Sequence, residues 1–183
     1  DFTGWTHYVA FREGEVIGTG DTLGTTSFRP NISNAGVIAF GWCERASPED
    51  VNYYLADGTV AALRNGDLLP GGGSPFSTAD PRSRNVFQTT ANGLSYIALG
   101  RLGSQDGPQV LVKDGEIVLA EGDDFGRGRI VEYILGGQNM LQENGDWLTA
   151  VRFTDGTGAA IKNGGILAAT GDLVEGFLFE ERW

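Results

Sequence analysis

The sequence predicts an all-β fold, and more specifically a β-propeller of about four four-stranded blades. The dipeptide Gly-Asp closes an apolar strand four times, and its aspartates are Asp21, Asp67, Asp123 and Asp172. These aspartates are 46, 56 and 49 residues apart, and one propeller blade takes about 40–50 residues. The 29 glycines, without a Gly-X-Y period, indicate many tight turns and therefore many short strands.

A second turn lies seven to nine residues before each of these aspartates. The four turns are Glu13-Gly14, Asp57-Gly58, Asp114-Gly115 and Asn163-Gly164. Strand-like runs flank each turn, for example QVLVK and EIVLA around Asp114-Gly115. Two β-prone runs joined by a short Asp-Gly or Asn-Gly turn are typical of a β-hairpin, so each unit is predicted to contain one.

Two further strands complete three of the predicted blades, and residues 1–33 supply most of a fourth. Asn-containing turns lead into the runs VIAFGW, LSYIALG and DWLTAVRF. The strands predicted to follow Gly-Asp are TSFRPNIS, RNVFQTT, RIVEYIL and GFLFEERW. This order predicts blades at about 1–33, 34–91, 92–143 and 144–183 within a single domain, 1–183. The nearly continuous apolar runs predict strands packed between two neighbouring sheets.

Three architectures are consistent with this pattern. A closed four-bladed ring is favoured, because 183 residues correspond to four blades. A fragment of a larger propeller would carry the same units and would leave an edge strand open to another chain. A β-sandwich is the third alternative.

The composition excludes several classes of partner. The net charge of −11 argues against nucleic acid, because phosphate binding needs clustered Lys and Arg. No apolar run approaches the roughly 18 residues of a membrane span, so no membrane insertion is expected. The single Cys43 excludes a disulfide within the chain.

The run SNAGVIAF resembles a bacterial tandem-repeat family defined by an Asn-x-x-Gly-x-x-Ala-Phe motif. Gly36, Ala39 and Phe40 match that motif at its spacing, while Ser33 holds the Asn position. Later copies have two extra residues after the glycine, at Asn92, Gly93, Ala98 and Leu99, and at Asn144, Gly145, Ala150 and Val151. The segment YVAFREGEVIGTGDTLG is similar to related extracellular repeats named after a His-Ala-Phe motif.

This resemblance implies an extracellular or cell-surface bacterial propeller. It carries no catalytic residue over to this chain. The residues themselves point the same way, because there is no Gly-x-Ser-x-Gly or His-Glu-x-x-His motif and His7 is the only histidine. We therefore expect a non-catalytic binding module. A secreted glycoside hydrolase or polysaccharide lyase using loop carboxylates remains the alternative.

No cofactor is required by this interpretation, although calcium is an alternative because carboxylate oxygens suit that ion. Asp21, Asp67, Asp123 and Asp172 would sit in different blades and hence far apart, so we interpret them as structural turn residues. In that role each aspartate accepts backbone N–H groups while its glycine adopts positive φ.

Candidate ligand-binding residues come from the longest loop and from tryptophans. The loop 70–85 is rich in Gly, Pro and Ser and carries the candidates Phe76, Asp80, Arg82 and Arg84. Trp42 and Trp147 follow Asn-containing turns, in the strand predicted to be innermost in each blade, where burial competes with ligand stacking. The expected partner is a glycan or a protein bound by these loops. Homo-oligomers through exposed edge strands are the competing expectation.

Overall fold

The computed structural model describes residues 16–17, 21–32, 38–44, 47–54, 61–78, 87–90, 92, 94–104, 106–135, 139–174 and 177–178. Side chains are described at positions 16 and 22 and, within those ranges, between residues 63 and 172. The described residues form strands, turns and bends and no helix, so the all-β prediction is confirmed. They are arranged as three five-stranded sheets and one two-stranded sheet.

The first sheet follows the order of the chain. Its strands are β1 (Val16–Ile17), β2 (Asp21–Ile32), β3 (Ile38–Glu44), β4 (Ser47–Tyr54) and β5 (Ala61–Leu63). Each strand pairs with the next one along the chain, and every pair is antiparallel. The strand β1 pairs with only the first two residues of β2, where Ile17 lies opposite Asp21.

The second sheet has four strand positions filled by five strands. These are β6 (Phe76–Ser77), β7 (Phe87–Thr89), β8 (Tyr96–Leu102), β9 (Gln109–Lys113) and β10 (Glu116–Ala120). Both β6 and β7 pair with β8, because Phe76 lies opposite Leu102 and Phe87 lies opposite Ala98. Two short strands therefore share one edge, and β10 forms the other edge.

The third sheet is built in the same way. Its strands are β11 (Val131–Ile134), β12 (Met140–Leu141), β13 (Trp147–Phe153), β14 (Gly158–Lys162) and β15 (Gly165–Ala169). Both β11 and β12 pair with β13, and β15 forms the opposite edge. After it, β16 (Leu173–Val174) and β17 (Phe177–Leu178) pair with each other.

The outer hairpins of the second and third sheets correspond residue by residue, 109–123 with 158–172. In the second sheet the register slips between Ile117 and Leu119, so Val118 is an extra residue in β10. In the third sheet Ala160 pairs with Ala168 and the next pair is Ile161 with Ile166, so the extra residue is Leu167. Each sheet thus carries a β-bulge at the same place on its outer edge.

The Gly-Asp corners at Asp67, Asp123 and Asp172 lie between sheets, whereas the corner at Asp21 lies within the first sheet, between β1 and β2. The second and third sheets span 76–120 and 131–169, each beginning after one corner and ending before the next. The predicted blades 34–91, 92–143 and 144–183 therefore each combine strands of two sheets. The strands predicted to end the blades 34–91 and 92–143 contain β7 and β11, which belong to the second and third sheets. Hydrophobic periodicity identifies a strand but does not identify its partner.

The strands that carry the two tryptophans are interior to their sheets and not innermost edge strands as predicted. In the first sheet β3 lies between β2 and β4. In the third sheet β13 lies between β14 on one side and β11 with β12 on the other. Each strand is therefore hydrogen-bonded along both of its sides.

Alternate residues of β8 belong to two different apolar clusters, one on each face of the second sheet. Ile97 and Leu99 belong to a cluster shared with the third sheet. Tyr96 and Ala98 belong to a second cluster, which includes Leu63 of the first sheet. The second sheet is therefore packed between its two neighbours, as the nearly continuous apolar runs predict.

A buried glutamine links the second and third sheets. Gln109 of β9 is buried, and its side-chain Oε1 accepts the backbone N–H of Ile134 in β11 at 2.8 Å. The Gln109 backbone N–H in turn donates to the Glu121 carboxylate at 3.0 Å. A buried polar group needs such partners, and the bond to Ile134 holds the second sheet against the third.

Three of the Gly-Asp corners share one geometry. Their glycines all have positive φ: Gly66 at 94°, Gly122 at 95° and Gly171 at 92°. Each aspartate Oδ2 accepts the N–H of the residue three positions earlier: Asp67 from Arg64 at 2.6 Å, Asp123 from Ala120 at 2.8 Å, Asp172 from Ala169 at 2.7 Å. The side chain of the fourth, Asp21, lies outside the described residues. The carboxylates thus satisfy backbone donors within their own turns.

Replacing a corner glycine is expected to destabilise the protein. Gly122→Ala should lower the free energy of unfolding by about 1–2 kcal/mol, because an L side chain is strained at this positive φ. Gly165→Ala is the matched control: its Cβ would make only an ordinary contact, 3.6 Å from the Lys162 carbonyl oxygen. Urea unfolding of both variants measures the difference, and equal stabilities would contradict the strained-corner geometry.

Candidate functional site

Two-residue turns close the outer hairpins of the second and third sheets. Asp114 and Asn163, the first residues of these turns, have φ of 51° and 49°. Gly115 and Gly164 follow with φ of 84° and 79°. Positive φ at both positions is the type I′ arrangement, which Asp or Asn followed by Gly tolerates best. Both hairpins therefore present one Asp or Asn side chain at their turns.

Each of these side chains is fixed to the adjacent interior strand. The Tyr96 N–H donates to Asp114 Oδ1 at 2.7 Å, and the Asp114 N–H donates to the Tyr96 carbonyl at 3.2 Å. In the third sheet the Trp147 N–H donates to Asn163 Oδ1 at 2.9 Å. The Asn163 N–H returns a bond to the Trp147 carbonyl at 3.1 Å. The two turns thus use the same backbone clamp.

The turn of the second sheet carries an ion pair. Lys113 Nζ lies 2.8 Å from Asp114 Oδ2. The Ser95 hydroxyl donates to the same carboxylate oxygen at 2.6 Å. The carboxylate is therefore held by a cation, a hydroxyl and the backbone clamp together.

The third sheet keeps the ion pair but exchanges the positions of the acid and its neutral partner. The turn residue is the neutral Asn163, and the carboxylate is Asp146, at the place corresponding to Ser95. Lys162 Nζ lies 2.8 Å from Asp146 Oδ2. The Asn163 amide donates to Asp146 Oδ1 at 2.6 Å. One lysine and one carboxylate therefore occur at each turn, although Asp114 belongs to the turn itself and Asp146 precedes β13.

The two groups of polar residues are neighbours. Lys113 Nζ lies 3.9 Å from the position that a Cβ would occupy on Gly145, directly before Asp146. We call the combined area the turn-end surface. Its members are Ser95, Lys113, Asp114, Asp146, Lys162 and Asn163. Positive, negative and neutral hydrogen-bonding groups thus alternate across two consecutive sheets.

The hydrogen bonds of Asp146 strongly favour its ionised form. The Lys162 ammonium, followed by the Asn163 and Asn144 amides, lowers the pKa of Asp146 to about 2. For Asp114, burial opposes ionisation, but hydrogen bonds from Lys113, Ser95 and the Tyr96 backbone outweigh it and lower its pKa. Burial, with the nearby charge of Asp114, raises the pKa of Tyr96 to about 12. The carboxylates of the turn-end surface are thus charged at ordinary pH, and the buried phenol of Tyr96 is neutral.

The low pKa of Asp146 predicts acid sensitivity. A carboxyl whose pKa is depressed on folding contributes stability that is present above about pH 4 and is lost as pH falls toward about pH 2. We expect the wild-type urea midpoint to fall over that window and the fall to be smaller in Asp146→Asn. Lys162→Met should also make the fall in the urea midpoint smaller, because the Asp146 carboxylate loses its cation. Parallel curves for all three proteins would contradict this role of Asp146.

A groove of about 250 Å³ lies beside the polar group of the third sheet. It is lined by Gln142, Asp146, Trp147, Leu148, Lys162 and Leu167. Leu167, the bulge residue of β15, is 62% exposed and stands at its side. The groove therefore combines an ion pair and an amide with apolar walls.

Of the ligand residues predicted from the sequence, the two whose side chains are described, Phe76 and Trp147, are both buried. Phe76 is 1% exposed and belongs to the apolar cluster between the first and second sheets, so it is not available to a ligand. Trp147 is only 6% exposed, although it lines the groove. Asp80, Arg82 and Arg84 lie outside the described residues, and the side chain of Trp42 is likewise not described.

The residues that form the turn-end surface were not among the predicted ligand residues. A signal was present in the sequence, since a lysine directly precedes both Asp114-Gly115 and Asn163-Gly164. The acid that pairs with each lysine could not be recognised from the sequence. It is the turn residue Asp114 in one sheet, and Asp146, directly before β13, in the other. Leu167 carries no sequence mark of its bulge.

The described part of the chain has neither a metal-binding cluster nor a membrane-spanning helix. Among the described residues, no group of three or more His, Cys, Asp or Glu side chains is placed to hold a metal ion. The same residues include no helix suited to crossing a membrane.

Comparison of the chain with protein-family models, with curated proteins and with solved structures found no match.

Proposed function

We propose that the chain is a propeller module, or part of one, that binds a glycan without catalysis at its turn-end surface. One observation carries the proposal: two consecutive sheets present a lysine–carboxylate pair beside an equivalent turn, and these pairs adjoin each other. In a propeller, sheets packed face to face bring corresponding turns to a common side. Loops and turns held by a rigid scaffold are common sites of binding.

Two observations support the propeller part of the proposal: the second sheet packs between its neighbours, and the second and third sheets have corresponding strands. The second sheet has apolar clusters on both faces, one shared with the first sheet and one shared with the third. The second and third sheets agree in strand order, register and bulge position. Units of this kind can be added in series, as propeller blades are.

The balance of charge favours a neutral ligand that is rich in hydroxyl groups. Each cation of the surface is already paired with a carboxylate, so neither sign of charge dominates. Carboxylates accept hydrogen bonds, ammonium groups donate them, and the side-chain amide of Asn163 does both. A sugar hydroxyl is donor and acceptor at once, and it can therefore bind at any point of such a surface. A secreted or surface-attached location, which the family resemblance implies, accords with a glycan ligand.

The carboxylate chemistry favours binding over hydrolysis. Glycoside hydrolases use two carboxyl groups, of which one must be protonated to act as a general acid. Asp146 is the carboxyl that lines the groove, and its pKa of about 2 keeps it ionised. It is therefore unsuited to donate a proton near neutral pH.

The edge strands favour ligand binding over self-assembly. A regular, exposed edge strand can pair with another chain, and β-bulges are one device that prevents this. The outer edges β10 and β15 both carry a bulge. Light scattering at two concentrations separates the alternatives, because assembly through edges would raise the mass with concentration.

A glycan array tests the proposal. The wild-type protein should bind neutral glycans, and the double variant Lys113→Met/Lys162→Met should bind them less while remaining folded by circular dichroism. Running the array with and without added calcium tests whether that ion contributes. An array without a single neutral glycan bound in either condition would contradict the proposal.

A further inference from the structure

We infer that the groove of the third sheet binds one neutral sugar residue, with the Asp146–Lys162 ion pair bridging two adjacent hydroxyl groups. This inference rests on the proposed function and specifies where on the turn-end surface a sugar ring is held.

The volume of the groove limits the ligand. At about 30 Å³ per water molecule, a space of about 250 Å³ holds roughly eight waters. Pockets for drug-sized ligands are larger, at roughly 300–1,000 Å³. The groove therefore accommodates a single ring, either a free monosaccharide or one residue of a longer glycan that continues outside it.

The ion pair matches a vicinal diol. Lys162 Nζ and Asp146 Oδ2 are 2.8 Å apart, and the Lys162 side chain is 45% exposed. One hydroxyl can donate to the ionised carboxylate while its neighbour accepts from the ammonium, which leaves both protein groups satisfied. The other bonds of Asp146, to Asn163 and Asn144, hold the carboxylate in position for this contact.

The walls match the C–H face of a sugar ring. The bulge in β15 turns Leu167 outward, and Leu148 of β13 lies opposite Lys162. Neighbouring positions on this face of the sheet are small: Ala150, Ala160 and Ala168. Leu167 and Leu148 are the apolar side chains of the groove lining that are not buried, and a ring packed on them would bury apolar area.

The second sheet does not offer the same place. Its bulge residue Val118 corresponds to Leu167 but packs against the apolar cluster between the second and third sheets. The Lys113–Asp114 pair therefore lacks an exposed apolar wall at that position. This difference supplies a matched control within one molecule.

Saturation-transfer NMR and titration calorimetry with methyl α-D-mannopyranoside and methyl β-D-galactopyranoside test the inference. At least one glycoside should bind, and its permethylated form, which has no hydroxyl to donate, should not. Lys162→Met and Leu167→Ser should each weaken binding by about tenfold or more, as expected for losing a charge-assisted hydrogen bond or an apolar wall. Lys162→Arg should retain part of the affinity, and Lys113→Met, at the neighbouring ion pair, should weaken binding less than Lys162→Met does.

The outcomes separate this inference from the proposed function. If glycans bind on the array but Lys162→Met and Leu167→Ser bind the glycosides as the wild type does, the groove is not the site and the wider proposal stands. Equal losses in Lys113→Met and Lys162→Met would also overturn the groove as the specific site. Failure of both glycosides and of every array glycan overturns the two together. Because Leu167 and Lys162 are exposed, circular dichroism should show each variant folded.

Discussion

Phe76→Ala is expected to destabilise the protein by about 3–5 kcal/mol, the usual loss for removing a buried phenyl ring. Phe76 is almost fully buried between the first and second sheets. Its ring lies directly over Gly100, so that a Cβ added there would overlap the ring carbons. Because Gly100 has no side chain, the ring of Phe76 can occupy the space above it. Urea unfolding followed by tryptophan fluorescence measures the loss.

Two further variants make this test specific. Leu68→Ala, close by but 77% exposed, should change stability by less than about 0.5 kcal/mol. Gly100→Ala should be destabilising in the wild type and less so when Phe76 is alanine, because the clashing ring has gone. The rescue should be partial, since the Ser77 carbonyl oxygen is also 2.8 Å from that Cβ position. A Phe76→Ala loss as small as that of Leu68→Ala would show that Phe76 is exposed.

Trp147→Ala is expected to have an effect of the same size, about 3–5 kcal/mol, because the indole is buried in the cluster between the second and third sheets. Its backbone N–H is also the donor to the turn residue Asn163. Trp147→Phe should recover most of the loss, because a large aromatic ring still fills the cluster. Thermal or urea unfolding of both variants measures the comparison.

The neighbouring residue is the control for Trp147. Leu148 lies on the opposite face of β13, where it is only half-buried, so Leu148→Ala should cost no more than about 1–2 kcal/mol. A Trp147→Ala protein that is as stable as the wild type and fails only in ligand binding would contradict the packing role. It would instead restore the ligand-stacking role that the sequence allowed for this residue.

The hairpins were predictable because their signals are local. Strand-like runs flank Asp114-Gly115 and Asn163-Gly164, and the residues of both turns accept positive φ. Each pair of runs forms a hairpin with a two-residue turn. The corners at Gly122 and Gly171 have the same local character, since glycine and aspartate together satisfy one backbone turn. Such features need no knowledge of distant residues.

Strand partners and burial were less predictable because they depend on distant residues. The run around Val131 reads as a strand, but only the fold shows that it pairs with β13 and not with the hairpin before it. Phe76 stands in a stretch rich in Gly, Pro and Ser, which is typical of an exposed loop. Pairing with Leu102 instead brings it into a sheet and buries it.

The candidate site shows the same division. Lys113 and Lys162 have a local signature, because each precedes an Asp-Gly or Asn-Gly turn. The acid partner of Lys162 is Asp146, sixteen positions earlier in the chain. Its place became apparent only when β13 and β14 were paired. Exchange of acid and neutral partner between the two sheets hides the correspondence from any comparison of single positions.

Cross-strand backbone NOEs are the most direct measurement of the central claim, that the second and third sheets each run from one Gly-Asp corner to the next. Isotope-labelled protein should show contacts between Tyr133 and Arg152 and between Ile134 and Val151, the partners in the third sheet. It should show the Gln88 and Ile97 contact in the second sheet as well. Contacts placing residues 131–134 as a further strand on the edge of Glu116–Ala120 would contradict the claim, and the turn-end surface would have to be redrawn.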